Sequence, residues 1–205
     1  MTIYAIKPAR FLRKLHSHNA ESRQRIYCAH FEAGVWRAVP FAKHLIKWLP
    51  DYALLEKDLQ TFNHGNAITK MEEAAARVYI SEAYQTRGEV GEIALHVVCR
   101  DFFGTIPISP RVFYKSASND VVKAFDMVHA RFNSKGEFKI WLGESKIYED
   151  GVSAAADAVK SIGAHIDNGF LTNEKILLGS QVPESTPNYA KVVQCSELRK
   201  VMMSF

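Results

Sequence analysis

Apolar and polar residues alternate with period two over 124–132 (AFDMVHARF) and again over 138–148 (FKIWLGESKIY), either side of the short polar run NSKGE at 133–137. This alternation predicts a β-hairpin with one apolar face. Pairing Phe132 with Phe138 sets Ala130 opposite Ile140, Val128 opposite Leu142 and Asp126 opposite Glu144, all on one face. Lys146 continues that face about 7 Å further along. The apolar face thus ends in two facing carboxylates and an ammonium.

Around the hairpin the spacing is mainly helical. A strand is expected over 25–32 with a turn at Gly34, then a helix over 35–49 despite Pro40, ended by Pro50 and Asp51. A second short helix is expected over 51–62, followed by the loop 63–66. Thr69 and Glu72 fit a capping box opening an Ala-rich helix to about Arg87, and Gly88 interrupts it. A further helix begins at Glu89, with Val90, Ile93, Ala94 and Val97 as its apolar face and Glu89 and Glu92 at the edge of that face. Acids at a helix start also complement its macrodipole, which by itself accounts for Glu89.

Gly104 stops that helix, Pro107 and Pro110 mark an extended connection, 111–115 reads as a short strand and 116–120 as a polar loop. After Gly151 a helix is expected to pack Val152, Ala155, Ala156, Val159, Ile162, Gly163 and Ile166 on the sheet. Residues 171–178 read as a helix or strand, 181–188 as a connection and 189–203 as a last helix, with the apolar end VMMSF expected either to be docked or to mark a sequence that stops early. The order predicts an α/β (α+β mixed) fold in one domain, 1–205. Within it lie an N-terminal strand and helical layer (1–66), a core (67–170) holding a small mixed sheet flanked by helices, and a C-terminal helical segment (171–205).

Composition changes this picture little. The chain has 205 residues, 47% hydrophobic and 23% charged, enough for one sizeable core. It lacks a run long enough to span a membrane and a secretory signal pattern, so a soluble intracellular protein is expected. Cys28, Cys99 and Cys195 are scattered and odd in number, which supports neither a disulfide framework nor a zinc site. The net charge of +4 is concentrated: residues 1–25 carry Lys7, Arg10, Arg13, Lys14, Arg23 and Arg25 against Glu21. Such a segment suits nucleic acid, an acidic protein surface, or plain solvation.

Candidate chemistry centres on the hairpin end. Facing carboxylates repel unless a cation lies between them, and carboxylate, carbonyl and water oxygens suit Mg²⁺. A neighbouring lysine can hold a water or offset charge developing on a phosphate. Glu-x-Lys is a common pattern by itself; the partner Asp126 in register gives it meaning. Asp120 falls in the loop, out of register with Glu144. His129 lies on the face opposite the acids, and His96 shares the Glu92 face and could approach a site; a packed or solvent-facing histidine is the plainer reading of each. No G-x-x-x-x-G-K loop, G-x-S-x-G elbow or His-paired cysteine is present, so nucleotide hydrolysis and nucleophilic hydrolase chemistry are not indicated.

Helix glutamate, strand aspartate and strand Glu-x-Lys in that order resemble the PD-(D/E)xK nuclease superfamily, although Phe125 replaces the proline before the aspartate. More closely, HVVCRDFFG, SND, FDMVHARF and WLGESKIYEDG resemble the HamA family, the nuclease subunit of the Hachiman anti-phage defence system, most clearly over 88–165. The resemblance implies a restriction-endonuclease-like core and a cytoplasmic bacterial DNase using Mg²⁺ or Mn²⁺. Asp126, Glu144 and the Ser145 carbonyl would hold the metal, Lys146 would position the water, and Glu92, or else Glu89, would be the helix acid. It further implies DNA as substrate and a helicase partner, HamB, that handles the nucleotide. Two alternatives stand beside this: an inactive interaction module docking a helicase, and a plain DNA-binding protein.

Overall fold

The computed structural model describes residues 6–19, 23–79, 88–108, 125–132, 138–167 and 189–190. The chain opens on an antiparallel ribbon, β1 (Arg13–Asn19) against β2 (Arg23–Cys28), then a minimal hairpin of β3 (Phe31–Glu32) and β4 (Val35–Trp36). The latter turns through Gly34 at φ +77°, a conformation glycine adopts without steric cost. The strand expected over 25–32 is divided between β2 and β3, because His30 at φ 64° leaves the extended path. β1 is additional. Every one of its residues is exposed, so no buried face imprints an alternation on the sequence.

Four helices follow: α1 (Ala38–Lys47), α2 (Leu49–Ala53), α3 (Glu56–Gln60) and α4 (Ala67–Tyr79). The single helix expected over 35–49 is corrected at both ends. Val35 and Trp36 belong to β4, and Pro50 lies in the first turn of α2 instead of ending a helix. In a first turn the missing proline N–H removes no hydrogen bond, which also explains Pro40 in α1. The capping box at Thr69 does not form. The interlocked Asn63 and Asn66 side chains start α4 earlier, with the Lys70 N–H on the Asn66 carbonyl at 2.9 Å, so Thr69 is inside the helix. The expected continuation to Arg87 lies outside the described residues.

α5 (Glu89–Phe102) starts just after Gly88, as expected, and joins the two halves of the core. Its Ile93 and Val97 pack with Trp48, Leu49, Leu54 and Val78 of the helical layer. Val90, however, is 48% exposed, while Glu89, Glu92, His96 and Arg100 are buried. The polar stripe at helical spacing faces inward.

β5 (Ile106–Pro107), β6 (Met127–Phe132) and β7 (Phe138–Gly143) form an antiparallel sheet in that order. The hairpin register is the one the alternation requires: Phe132 opposite Phe138, Ala130 opposite Ile140 and Val128 opposite Leu142. The sheet was expected to be mixed; among the described residues every strand pair is antiparallel. Val128 and Ala130 pack with Phe125, Ile108 and Ile162 of α6 (Gly151–Asp167). His129 and Gly143 face α5, where Leu95 approaches so closely that a Cβ on Gly143 would lie 2.9 Å from it. The sheet is therefore held between α5 and α6, in a mixed α/β arrangement.

The rotation of α6 differs from expectation. Val152 and Val159 are 79% and 70% exposed, and the helix meets the sheet through Ile162, Ser161 and His165. The His165 ring stands edge-on to Phe125 at 5.0 Å, and the Ser161 hydroxyl reaches Glu144. These polar contacts set the roll of the helix. The readings for 111–115, 116–120, 171–178 and 181–188 lie outside the described residues, as does most of 189–203. Among the described residues no helix is long and apolar enough to cross a membrane.

Candidate functional site at the end of the hairpin

The hairpin ladder ends with Met127 opposite Gly143, so Asp126 and Glu144 stand one residue beyond its last pair. Asp126 is buried and turns its Oδ2 onto Ser145, accepting the backbone N–H at 2.9 Å and the hydroxyl at 2.8 Å. The carboxylate thus takes the place of the carbonyl a longer strand would have offered. Glu144 leans the other way: its Oε1 accepts from Lys146 Nζ and from Ser161 Oγ of α6, each at 2.8 Å. The Glu144 side chain is only 6% exposed, and its Oε2 has no hydrogen-bond partner among the described residues.

An unpartnered buried carboxylate oxygen costs at least about 1–3 kcal/mol of desolvation. Nothing in the packing of β7 demands that cost. The Lys146 ammonium is held above its ordinary range by the Glu144 hydrogen bond, which outweighs the opposing effect of burial, with the charges of Glu144 and Asp126 adding to it. Lys146 is therefore a fixed cation at physiological pH, suited to orient a water or offset anionic charge and unsuited to take a proton.

Helix α5 reaches this region through a close approach at Gly91. A Cβ on Gly91 would lie 3.1 Å from the Ile147 side chain and 3.2 Å from Ser145 Oγ, so α5 rests directly on the segment after β7. Glu92 follows Gly91, in the first turn of α5, where the helix dipole favours an anion. Its Oε2 accepts from the Tyr52 hydroxyl of α2 at 2.7 Å, and Glu89 is buried beside it in the same turn. Asp126, Glu144, Ser145 and Lys146 are thus one bonded group around the strand end. Gly91 of α5 packs on this segment, and the neighbouring Glu92 is bonded to Tyr52 of the helical layer. Asp120 lies outside the described residues. Among the described residues no group of three or more His, Cys, Asp or Glu is disposed to hold a metal ion.

Sequence reading missed Tyr52, Ser161 and Gly91, and it missed a second polar assembly on α5. Asp51 Oδ1 bonds His96 Nε2 at 2.7 Å, His96 Nδ1 bonds His129 Nε2 at 3.1 Å, and His129 Nδ1 bonds the Thr105 hydroxyl at 2.8 Å. One proton arrangement satisfies every atom: the Thr105 hydroxyl donates to His129, His129 to His96, and His96 to Asp51. Arg100 closes the assembly with two bonds to the Asp51 carboxylate, at 2.9 and 3.0 Å, and one to the Thr105 carbonyl at 3.0 Å. Burial alone raises the Asp51 carboxyl, but His96 and Arg100 overcome it and hold it at about 2. Burial lowers His96 despite Asp51, and lowers His129 further still with the help of His96. Both imidazoles are neutral. The sequence signal was the stripe Glu89, Glu92, His96, Arg100 at helical spacing, which is legible as polar and silent about burial.

The family model HamA matches residues 9–203, nearly the whole chain. No curated protein and no solved structure matches.

Proposed function

We propose, from the premise that this chain belongs to the HamA family, the nuclease-like subunit of Hachiman anti-phage defence, that it is a divalent-metal-dependent deoxyribonuclease. It hydrolyses phosphodiester bonds when a helicase partner releases it. The observation that carries the reading is Glu144: buried, tethered through Oε1 by Lys146 and Ser161, and presenting an unpartnered Oε2 at the end of a strand beside Asp126. Magnesium takes one or two carboxylates and completes its shell with water and substrate phosphate, so two acids and the Ser145 carbonyl are a sufficient donor set. Mn²⁺ accepts the same oxygens. The helix acid, strand-end aspartate and Glu-x-Lys support a PD-(D/E)xK core.

When bound, the metal supplies Lewis acidity and lowers the pKa of a coordinated water. The chain supplies the rest. Asp126 and Glu144 present hard oxygens from adjoining backbone positions, Ser161 keeps Glu144 from swinging away, and Glu92 is positioned by Tyr52. Lys146, charged and tethered, offsets negative charge on the phosphate as water attacks in line.

The test uses the full chain with its helicase partner on plasmid DNA, with Mg²⁺ or with EDTA. Cleavage with Mg²⁺ that disappears in EDTA and in Glu144→Gln or Lys146→Gln is the expected result; equal cleavage by those variants sinks the assignment. One observation favours a second reading, an inactive module that docks a helicase: both donors of Ser145 already occupy Asp126 Oδ2, a purely architectural use of that acid. On that reading a Glu144→Gln/Lys146→Gln chain protects cells from phage as well as the parent does.

A further inference from the structure

The six basic residues of the N-terminal segment have two separate fates. Lys7 Nζ bonds the Arg100 carbonyl at 3.2 Å and the Asp101 carboxylate at 3.1 Å, and Arg10 bonds the Asp101 carbonyl. These two cations are consumed at the C-terminal end of α5, where carbonyls lack helical partners. Arg13, Lys14, Arg23 and Arg25 instead lie on the β1–β2 ribbon, Arg25 half-buried and the other three exposed, and none pairs with a described carboxylate.

The register sorts them further. Lys14 pairs with Tyr27, Ser17 with Arg25 and Asn19 with Arg23, while His16 pairs with Ile26 and His18 with Gln24. Leu15 is an extra residue between Lys14 and His16. A bulge of this kind shifts side-chain parity by one. Strict alternation would put Lys14 with His16 and His18; the bulge moves it to the face of Arg23 and Arg25, which also carries Ser17 and Asn19. Arg25 is stiffened there by bonds to the His18 and Gln24 carbonyls and to Asn19 Oδ1. That face has three cations, a hydroxyl and an amide, with Tyr27 at its root turned onto Phe102, so its outer part is polar where a protein interface has an apolar centre; the exposed Ile26 is on the other side.

An isolated two-stranded hairpin is marginal in water. This one is anchored at its root, where the Tyr27 ring lies 4.3 Å from the Phe102 ring and the Arg10 guanidinium 4.6 Å from it. Phe102 is the last residue of α5, and Glu92 is ten residues earlier on the same helix. The root therefore stands about 15 Å along α5 from the helix acid. That is roughly four to five base-pair steps.

We propose that the β1–β2 ribbon is a duplex-DNA contact, laying Lys14, Arg23 and Arg25 on the phosphate backbone. A two-stranded ribbon fits the major groove of B-form DNA, whereas the deep, narrow major groove of duplex RNA excludes it. The proposal rests on the nuclease reading for its substrate, and it concerns binding, which is measured apart from cleavage.

The experiment measures anisotropy of a labelled DNA duplex titrated with the full chain in EDTA, over salt from about 50 to about 200 mM. Lys14→Gln/Arg23→Gln changes two side chains that make no hydrogen bond with any described residue. It is expected to make the slope of log affinity against log salt shallower by about 1.8, removing roughly a tenfold share of the salt-induced loss. Lys14→Arg/Arg23→Lys keeps the parent slope. An unchanged slope in the glutamine variant overturns the proposal, as does a chain that does not bind the duplex. So does a variant that binds DNA normally and loses its helicase partner, which would make the ribbon a protein contact. Ribbon-dependent binding without any Mg²⁺-dependent cleavage leaves the ribbon standing and removes the nuclease reading; cleavage with an unchanged slope does the reverse.

Discussion

Two polar regions share α5 and differ in one respect. Midway along the helix, Asp51, His96, His129, Thr105 and Arg100 saturate one another, with hydroxyl, imidazoles and guanidinium running in one consistent chain of donors to a carboxylate. At the N-terminal end, Gly91 packs on the segment after β7, where a buried Glu144 oxygen accepts nothing among the described residues. A saturated buried network fixes how elements meet, here α2, α5 and β6. A buried acid with an oxygen to spare costs stability, and on the proposed function it is kept for what binds there. Burial is common to both, and Glu56 and Asp101 also keep an unpartnered buried oxygen; what sets the N-terminal region apart is such an oxygen on an acid held by a lysine and a serine at the strand end.

The largest expected effect tests the first half of this contrast. Asp51→Ala leaves Arg100 buried without its carboxylate and His96 without its acceptor, and removing one partner of a buried pair costs about 3–5 kcal/mol. Urea unfolding should show that loss. A change under about 1 kcal/mol would mean that the network does not hold the helical layer to the sheet. Next comes Glu144→Gln, expected to lower cleavage by about 10²–10³-fold, which is about 3–4 kcal/mol in the barrier. Its folding stability should be unchanged or slightly higher, since a buried anion is removed. If Glu144→Gln unfolds the chain while Asp51→Ala leaves folding intact and stops cleavage, the two regions have been assigned the wrong way round.

The sequence was most legible where one face of a regular element is buried. The register of β6 and β7 followed from parity alone, because a shift by one residue would expose Val128 and Ala130. The same reasoning placed Asp126 and Glu144 together at the strand end, although the ladder stops one pair short of them. It could not foresee that Asp126 turns to Ser145, since that depends on where hydrogen bonding ends. The network was illegible for another reason. Asp51, His96 and His129 come from three elements joined only by tertiary packing, and each alone reads as an ordinary surface or packed residue. Helix ends were misplaced wherever proline was taken as a stop; Pro50 begins α2 because the first turn tolerates it.

Acid separates the regions a second time. His96 and His129 have pKa values lowered by burial, so below about 6.5 the unfolded chain binds protons that the folded chain refuses. Stability is therefore complete above that pH and falls as pH drops, by about 1.4 kcal/mol per pH unit for each proton. Asp51, held at about 2, adds a further loss as pH falls below its ordinary 3.8. Unfolding free energy measured between neutral pH and about pH 5 should slope downward toward acid in the parent chain. A His96→Gln/His129→Gln variant, less stable throughout, should be flatter in that interval, keeping only the slope from groups such as the buried His44, which burial also lowers. A parent profile that is already flat would show that the imidazoles titrate normally and are not sealed in.

The smallest effects come from deleting one hydroxyl in each region, a nearly identical change in both. Thr105→Val removes the donor to His129 Nδ1 and strands a buried nitrogen, at a cost of about 1–3 kcal/mol in stability with cleavage unaltered. Ser161→Ala removes one of two donors to Glu144 Oε1 while Lys146 remains, so stability should fall by less than about 1 kcal/mol. Its effect should appear in cleavage, as a loss of about three- to tenfold in the rate at saturating DNA, because a carboxylate held at one point is less well aimed. Matched rates and melts on the two variants decide the matter. Should Ser161→Ala lose stability like Thr105→Val and keep the parent rate, Glu144 is held for the fold, and the spare oxygen loses its meaning.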